Sequence, residues 1–132
     1  MRLFEYHKEI LEHHLDTFGH VNNAVYLQLY EEARWDFITK NGYGLDRIVK
    51  EKVGPVVLEA HVTFKREIGN REKITITSQF HEMKNSLVMV LKQQMIKADG
   101  VVASEAEFHI GVFDTAKRKL ITPPEVWMQA IQ

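Results

Sequence analysis

Between Ala24 and Lys40 the apolar positions fall on one side of a helix. Tyr26, Tyr30, Ala33 and Phe37 stand at i, i+4, i+7 and i+11 with Leu29 beside them, and Gln28, Glu32, Asp36 and Lys40 lie opposite. Asn22 or Asn23 is suited to cap the start of this helix. Asn41-Gly42 is suited to stop it, because both residues tolerate the left-handed conformation. Elsewhere the period drops to two. Residues 2–14 alternate loosely (Leu3, Glu5, His7 and Glu9 against Phe4 and Tyr6) and predict a first strand. Val56, Leu58, Ala60, Val62 and Phe64 then alternate with Val57, Glu59, His61, Thr63 and Lys65, the clearest strand in the chain. Three more follow: Ile74, Ile76 and Phe80 against Thr75, Thr77 and His81; the Val, Met and Leu run from Leu87 to Lys97; and Val102, Ala106, Phe108, Ile110 and Val112 against Glu105, Glu107 and His109. Gly69-Asn70, Lys84-Asn85 and Asp99-Gly100 mark the turns, Leu45–Lys50 suits one short helical turn, and a tail from Glu125 to Gln132 after Pro123-Pro124 suits one or two more.

The order strand, long helix, four strands in hairpin succession predicts an α+β fold: one long central helix wrapped by a curved five-stranded antiparallel sheet. A single sheet on a single helix leaves one face and at least one edge open. Pairing with another copy is the expected cover, as a homodimer or homotetramer.

Composition narrows the function. The 132 residues suit one domain spanning 1–132, with a core large enough to fold without staples. There is no cysteine, so disulfides, thiolate metal sites and a cysteine nucleophile are excluded, and a reducing, cytoplasmic setting is the expectation. The N-terminus lacks the apolar region of a leader, and no apolar run is long enough to span a bilayer. Seventeen basic residues against eighteen acidic ones give no basic stripe for nucleic acid. No nucleic-acid or membrane partner is therefore expected.

The stretch Asp16 to Tyr26, DTFGHVNNAVY, places an acid, an imidazole and two amides on a glycine turn that opens the long helix. Free N–H groups of a first helical turn, here around Asn22–Ala24, point outward with the positive end of the helix dipole and can hold a developing oxyanion without a metal or cofactor. Asp16 reads either as a base or nucleophile beside that hole, or as a turn residue accepting backbone N–H bonds. His20 reads as a loop histidine or as a group orienting Asp16 or the substrate. Asn22 and Asn23 set the donor geometry, Gly19 lets the backbone approach, and Tyr26 is core or pocket wall. Glu31 and Glu32 read as solvated helix residues, Glu31 spaced to pair with Arg34. His13 and His14, adjacent on a strand, would point to opposite faces, so no metal site is expected. Serine-hydrolase, phosphate-loop and dinucleotide fingerprints are missing.

The element order together with D-x-x-G-H-V-N-N-x-x-Y resembles the hotdog-fold thioesterases, specifically the 4-hydroxybenzoyl-CoA thioesterase-like and acyl-CoA thioesterase branch, over nearly the whole chain. The resemblance implies an active site at the helix N-terminus against a neighbouring subunit. The family's acid falls on Asp16, its glycine on Gly19 and its aromatic on Tyr26. The His-Val-Asn-Asn segment is also similar to the turn of plant acyl-ACP thioesterases, in which the implicated acid and histidine fall on Asp16 and His20. Two positions depart: Phe18 stands where those enzymes carry Asn, and Thr63 where they carry an acid, with Glu59 on the same strand face as a substitute. Lys65, Arg66 and Arg71 form a basic cluster suited to the phosphates of coenzyme A, or a solvated hairpin end. The leading expectation is acyl-CoA hydrolysis with catalytic Asp16, His20 and Asn23, substrate-binding Gly19, Asn22, Tyr26, Glu59, Lys65 and Arg66, and no cofactor; acyl-ACP is a close variant. The alternatives are a hotdog hydratase or dehydratase, whose loop instead resembles D-x-N-P-x-H, and a non-catalytic acyl-thioester binder.

Overall fold

The computed structural model describes residues 1–132. Strand β1 (Phe4–Glu9) runs through a 3₁₀ turn (Glu12–His14) into helix α1 (Asn23–Lys40), followed by α2 (Leu45–Glu51). Strands β2 (Val53–Phe64), β3 (Lys73–Met83), β4 (Val88–Ile96), β5 (Val102–Asp114) and β6 (Lys119–Ile121) come next, and helix α3 (Glu125–Ile131) closes the chain. The sheet has the antiparallel order β1-β3-β4-β5-β2, with β6 paired to the end of β5. This is the α+β arrangement expected, with six strands rather than five. Three-residue β6 is too short to show a period of its own.

Helix α1 begins where Asn22, in extended backbone, accepts the Ala24 N–H on its side chain at 2.9 Å. It ends where the Asn41 N–H returns to Phe37 and Gly42 adopts a φ of +91°. Its buried face holds Tyr26, Leu29, Tyr30, Ala33, Phe37 and Ile38, and these join one core of 24 buried side chains against the inner face of the sheet. Arg34 is buried as well, which the apolar period did not predict. It donates to Gln93 Oε1 at 2.9 Å and lies over the Phe108 ring, rather than pairing with Glu31. Gln93 in turn donates to Ser78 and to the Tyr30 carbonyl, while the Tyr30 hydroxyl meets Ser104, so the polar centre of the core is satisfied. Helix α3 caps the far end, with Trp127 buried edge-on against Tyr43 and Asn41 donating to the Ala130 carbonyl.

Two strand readings need correction. The first strand stops at Glu9, so His13 and His14 do not straddle a sheet; they sit in the 3₁₀ turn with rings 4.0 Å apart, and His14 Nδ1 accepts the Leu11 N–H. In β2 the register shifts between Val57 and Glu59, a bulge centred on Leu58. Val57 therefore shares the helix-facing side with Ala60, Val62 and Phe64, opposite Ile110, Phe108, Ala106 and Ser104, and the single apolar face from Val56 to Phe64 is broken. Strand β2 is also an edge, with Val57 48% and Phe64 53% exposed. No helix is long and apolar enough to cross a membrane.

Candidate active site

The chain reverses direction between Leu15 and Val21, which pair as an isolated antiparallel bridge. Within that turn the Asp16 N–H donates to the His20 carbonyl at 2.8 Å and the Gly19 N–H to the Asp16 carbonyl at 3.1 Å. Gly19 has a φ of +79°, a conformation that side chains with a Cβ resist. The Asp16 carboxylate completes the turn: its Oδ1 accepts the N–H groups of Phe18 at 2.8 Å and His20 at 3.3 Å. Its Oδ2 accepts nothing. The two oxygens of Asp16 thus differ, one holding the turn and one without a hydrogen-bond partner.

Beside this turn lies a hollow of about 500 Å³. It brings together Asp16, His20, Asn22, Asn23 and Tyr26 from the turn and helix start with Phe64, Lys65, Arg66 and Glu67 from the end of β2 and the loop after it. The donor supply is narrower than expected. The Asn22 N–H goes to the His14 carbonyl, the Ala24 N–H to the Asn22 side chain and the Val25 N–H to the Asn22 carbonyl, which leaves the Asn23 N–H as the donor without an acceptor. Tyr26 packs edge-on against Phe64 at 4.8 Å. Its burial, and then the Asp16 carboxylate nearby, push its hydroxyl pKa above the ordinary tyrosine value.

Other expected residues sort differently. The His20 imidazole forms no hydrogen bond with Asp16; it lines the same hollow as Glu67, whose carboxyl is held below the usual range first by its own backbone N–H and then by the charge of that imidazole. Glu67 was missed, since it lies in an irregular loop with no periodicity to mark it. Glu59 is separated from the hollow. It stands on the outer face of the sheet, 2.6 Å from His109 Nδ1 and 3.3 Å from Lys84 Nζ. The basic cluster also divides: Arg71 is committed to Glu12 at 2.8 Å and Lys65 to Glu105 at 3.0 Å, while Arg66 reaches only a neighbouring carbonyl and keeps an unpaired charge at the hollow. No three His, Asp or Glu side chains converge on a point that a metal would occupy.

Residues 11–131 match the thioesterase-like superfamily. The chain belongs to that superfamily. Among relatives, this thioesterase-like chain is 28% identical over 109 residues to the long-chain acyl-CoA thioesterase FadM of Escherichia coli strain K12, covering 83% of this chain and 82% of that protein. Its fold matches the crystal structure of the probable thioesterase YbaW from Escherichia coli with a TM-score of 0.87 and 25% identity, covering 98% of this chain and 99% of the other. It also matches SAV2348 from Staphylococcus aureus, solved in complex with CoA, with a TM-score of 0.90 and 20% identity, covering 98% and 81%. This fold brings the open turn, the helix start and the β2 terminus together in one hollow.

Proposed function

We propose that this protein hydrolyses acyl-CoA thioesters to a free carboxylic acid and coenzyme A. The observation that carries the reading is the pairing of two unsatisfied groups at the helix start: Asp16 Oδ2, an acceptor without a donor, and the Asn23 N–H, a donor without an acceptor. A thioester carbonyl oxygen between them and the helix dipole accepts from Asn23, which stabilises the charge that develops on that oxygen. Asp16 Oδ2 takes a proton from water as the water oxygen bonds to the carbonyl carbon. The carbon–sulfur bond then breaks, and the proton passes to the departing thiolate. Direct attack by Asp16, giving a mixed anhydride that water later opens, uses the same oxygen; water activation needs no covalent intermediate and is the route adopted here. Asn22 holds the donor in place by capping, Gly19 shapes the turn, and Tyr26 with Phe64 walls the hollow where the acyl group enters.

His20 and Glu67 both line the hollow, where an imidazole can contact the substrate rather than Asp16. Arg66 supplies an unpaired guanidinium for a phosphate of the carrier, and Lys65 a second cation once it leaves Glu105. FadM, named for acyl-CoA hydrolysis, and a CoA-bound structural neighbour support CoA as that carrier. Two copies, joined along the exposed β2 edge, would wall the open side of the hollow. The direct test is thiol release by the purified protein with short, long, branched and aromatic acyl-CoAs. Release for at least one class is expected. A folded protein that releases none, yet consumes the conjugated absorbance of an enoyl-CoA or is merely stabilised by acyl-CoA, would overturn hydrolysis in favour of hydration or binding.

A further inference from the structure

We propose that Arg34 finds its anion in a second copy of this chain, Glu31 of each copy bonding Arg34 of the other across a two-fold axis. This rests on the two-copy reading above and names the contact that specifies it. Arg34 is only 7% exposed, yet it pairs with no carboxylate; its one side-chain acceptor is the neutral amide of Gln93. A guanidinium withdrawn from water without a bonded counter-ion is costly, and here burial pushes its pKa down to about 10 even though the charge of Glu31 on its own helix pulls the other way. One turn earlier on the same helix, Glu31 is exposed and forms no ion pair, although its neighbours Glu32 and Asp36 are committed to Lys8 and Lys40.

Both side chains line a cavity of about 220 Å³ that also takes in Trp35 of α1 and Pro55 and Val57 of β2. This cavity therefore opens beside the unpaired edge strand, where Val57 and Leu58 are 48% and 45% exposed. The patch is self-complementary in charge. An axis perpendicular to α1 that passes between residues 31 and 34 sets two copies of the helix antiparallel, so each Glu31 lies opposite the other copy's Arg34. Contact of this kind is isologous, closes at two copies and gives two identical bonds. Charge-assisted bonding between a guanidinium and a carboxylate suits both side chains and removes the unpaired charge.

Sedimentation velocity over a range of concentrations tests the pairing with wild type, Glu31→Arg, Arg34→Glu and an equimolar mixture of the two variants. Wild type should dimerise. Each variant alone should raise the dimer dissociation constant by roughly tenfold or more, since two like charges then face each other. The mixture should recover a heterodimer, because the arginine introduced at 31 meets the glutamate introduced at 34 while the native pair forms on the other side. An intrachain pair would not be rescued by mixing. If circular dichroism shows Arg34→Glu unfolded, the exposed Glu31→Arg decides alone: weakened dimers support the pair, and an unchanged dissociation constant overturns it and leaves the cavity to a ligand acid. A monomeric wild type would overturn the two-copy reading itself, whereas a wild-type dimer indifferent to Glu31→Arg overturns only the ion pair.

Discussion

Asp16 commits one carboxylate oxygen to the turn and leaves the other without a donor, and that division sets what substitutions there and nearby should do. Oδ1 holds the turn by accepting from Phe18 and His20, so replacements that keep an acceptor keep the turn. Gly19 is the other fixed point of the turn. At a φ of +79° an added Cβ has open space around it but a disfavoured backbone, so Gly19→Ala should lower stability by about 1–2 kcal/mol, read by denaturant unfolding. An unchanged midpoint would show that the turn relaxes without cost. Arg66→Ala should raise KM for CoA thioesters several-fold with kcat nearly unchanged, because an unpaired cation at the rim contributes to ground and transition states alike. Lys65→Ala, which first loses its bond to Glu105, should do less. A fall in kcat instead would move Arg66 toward the reacting atoms. The turn residues Asp16, Gly19, His20, Asn22, Asn23 and Tyr26 were legible in the sequence because they are contiguous and their geometry is local. Glu67 and the distinct fates of Arg66 and Arg71 were not, because they depend on which loop folds back on which turn. Glu59 was misplaced for a related reason, since strand alternation says which residues share a face but not which face meets the site.

At the scale of elements, β1 is tied to α1 by a small polar strap. Tyr6 donates to Glu32 at 2.7 Å and Lys8 pairs with the same carboxylate at 2.8 Å. Burial works against Glu32, yet Lys8 and Tyr6 outweigh it and hold its carboxyl below the usual range. A carboxyl lowered on folding stabilises the native state above its unfolded pKa and loses that contribution as pH falls through the folded one. The acid limb of stability, below about pH 4.5, should therefore flatten in Glu32→Gln, as denaturant titrations at several pH values would reveal. Tyr6 behaves with the opposite sign. Burial and then Glu32 raise it to about 12, so its contribution is complete below its ordinary pKa of 10.0 and disappears as pH rises toward 12. Tyr6→Phe should lack that alkaline loss; a matching loss in the variant would assign the effect elsewhere. The elements themselves were largely readable, α1 most clearly, since a sustained 3.6-residue period and capping residues at both ends agreed. The bulge at Leu58 was hidden because every residue from Val56 to Leu58 is apolar, and a shift of phase leaves no mark in such a run.

For the whole molecule, the decisive arrangement is the meeting of the helix start with the far end of β2, two segments about forty residues apart in sequence that only the hotdog topology joins. That topology leaves β2 as an edge and its helix-facing side half open, so the hollow beside Asp16 and the cavity beside Arg34 lie along the same uncovered flank. The central claim is that Asp16 activates the attack on a thioester held at this junction. Thiol release by Asp16→Asn, measured beside wild type on the best acyl-CoA substrate, tests it most directly. Asparagine keeps the Oδ1 acceptor and so the turn, while removing the basic oxygen. A folded variant that still binds acyl-CoA should fall by about 10²–10⁴-fold in kcat; activity within a few-fold of wild type would contradict the assignment and move the catalytic base to another group in the hollow.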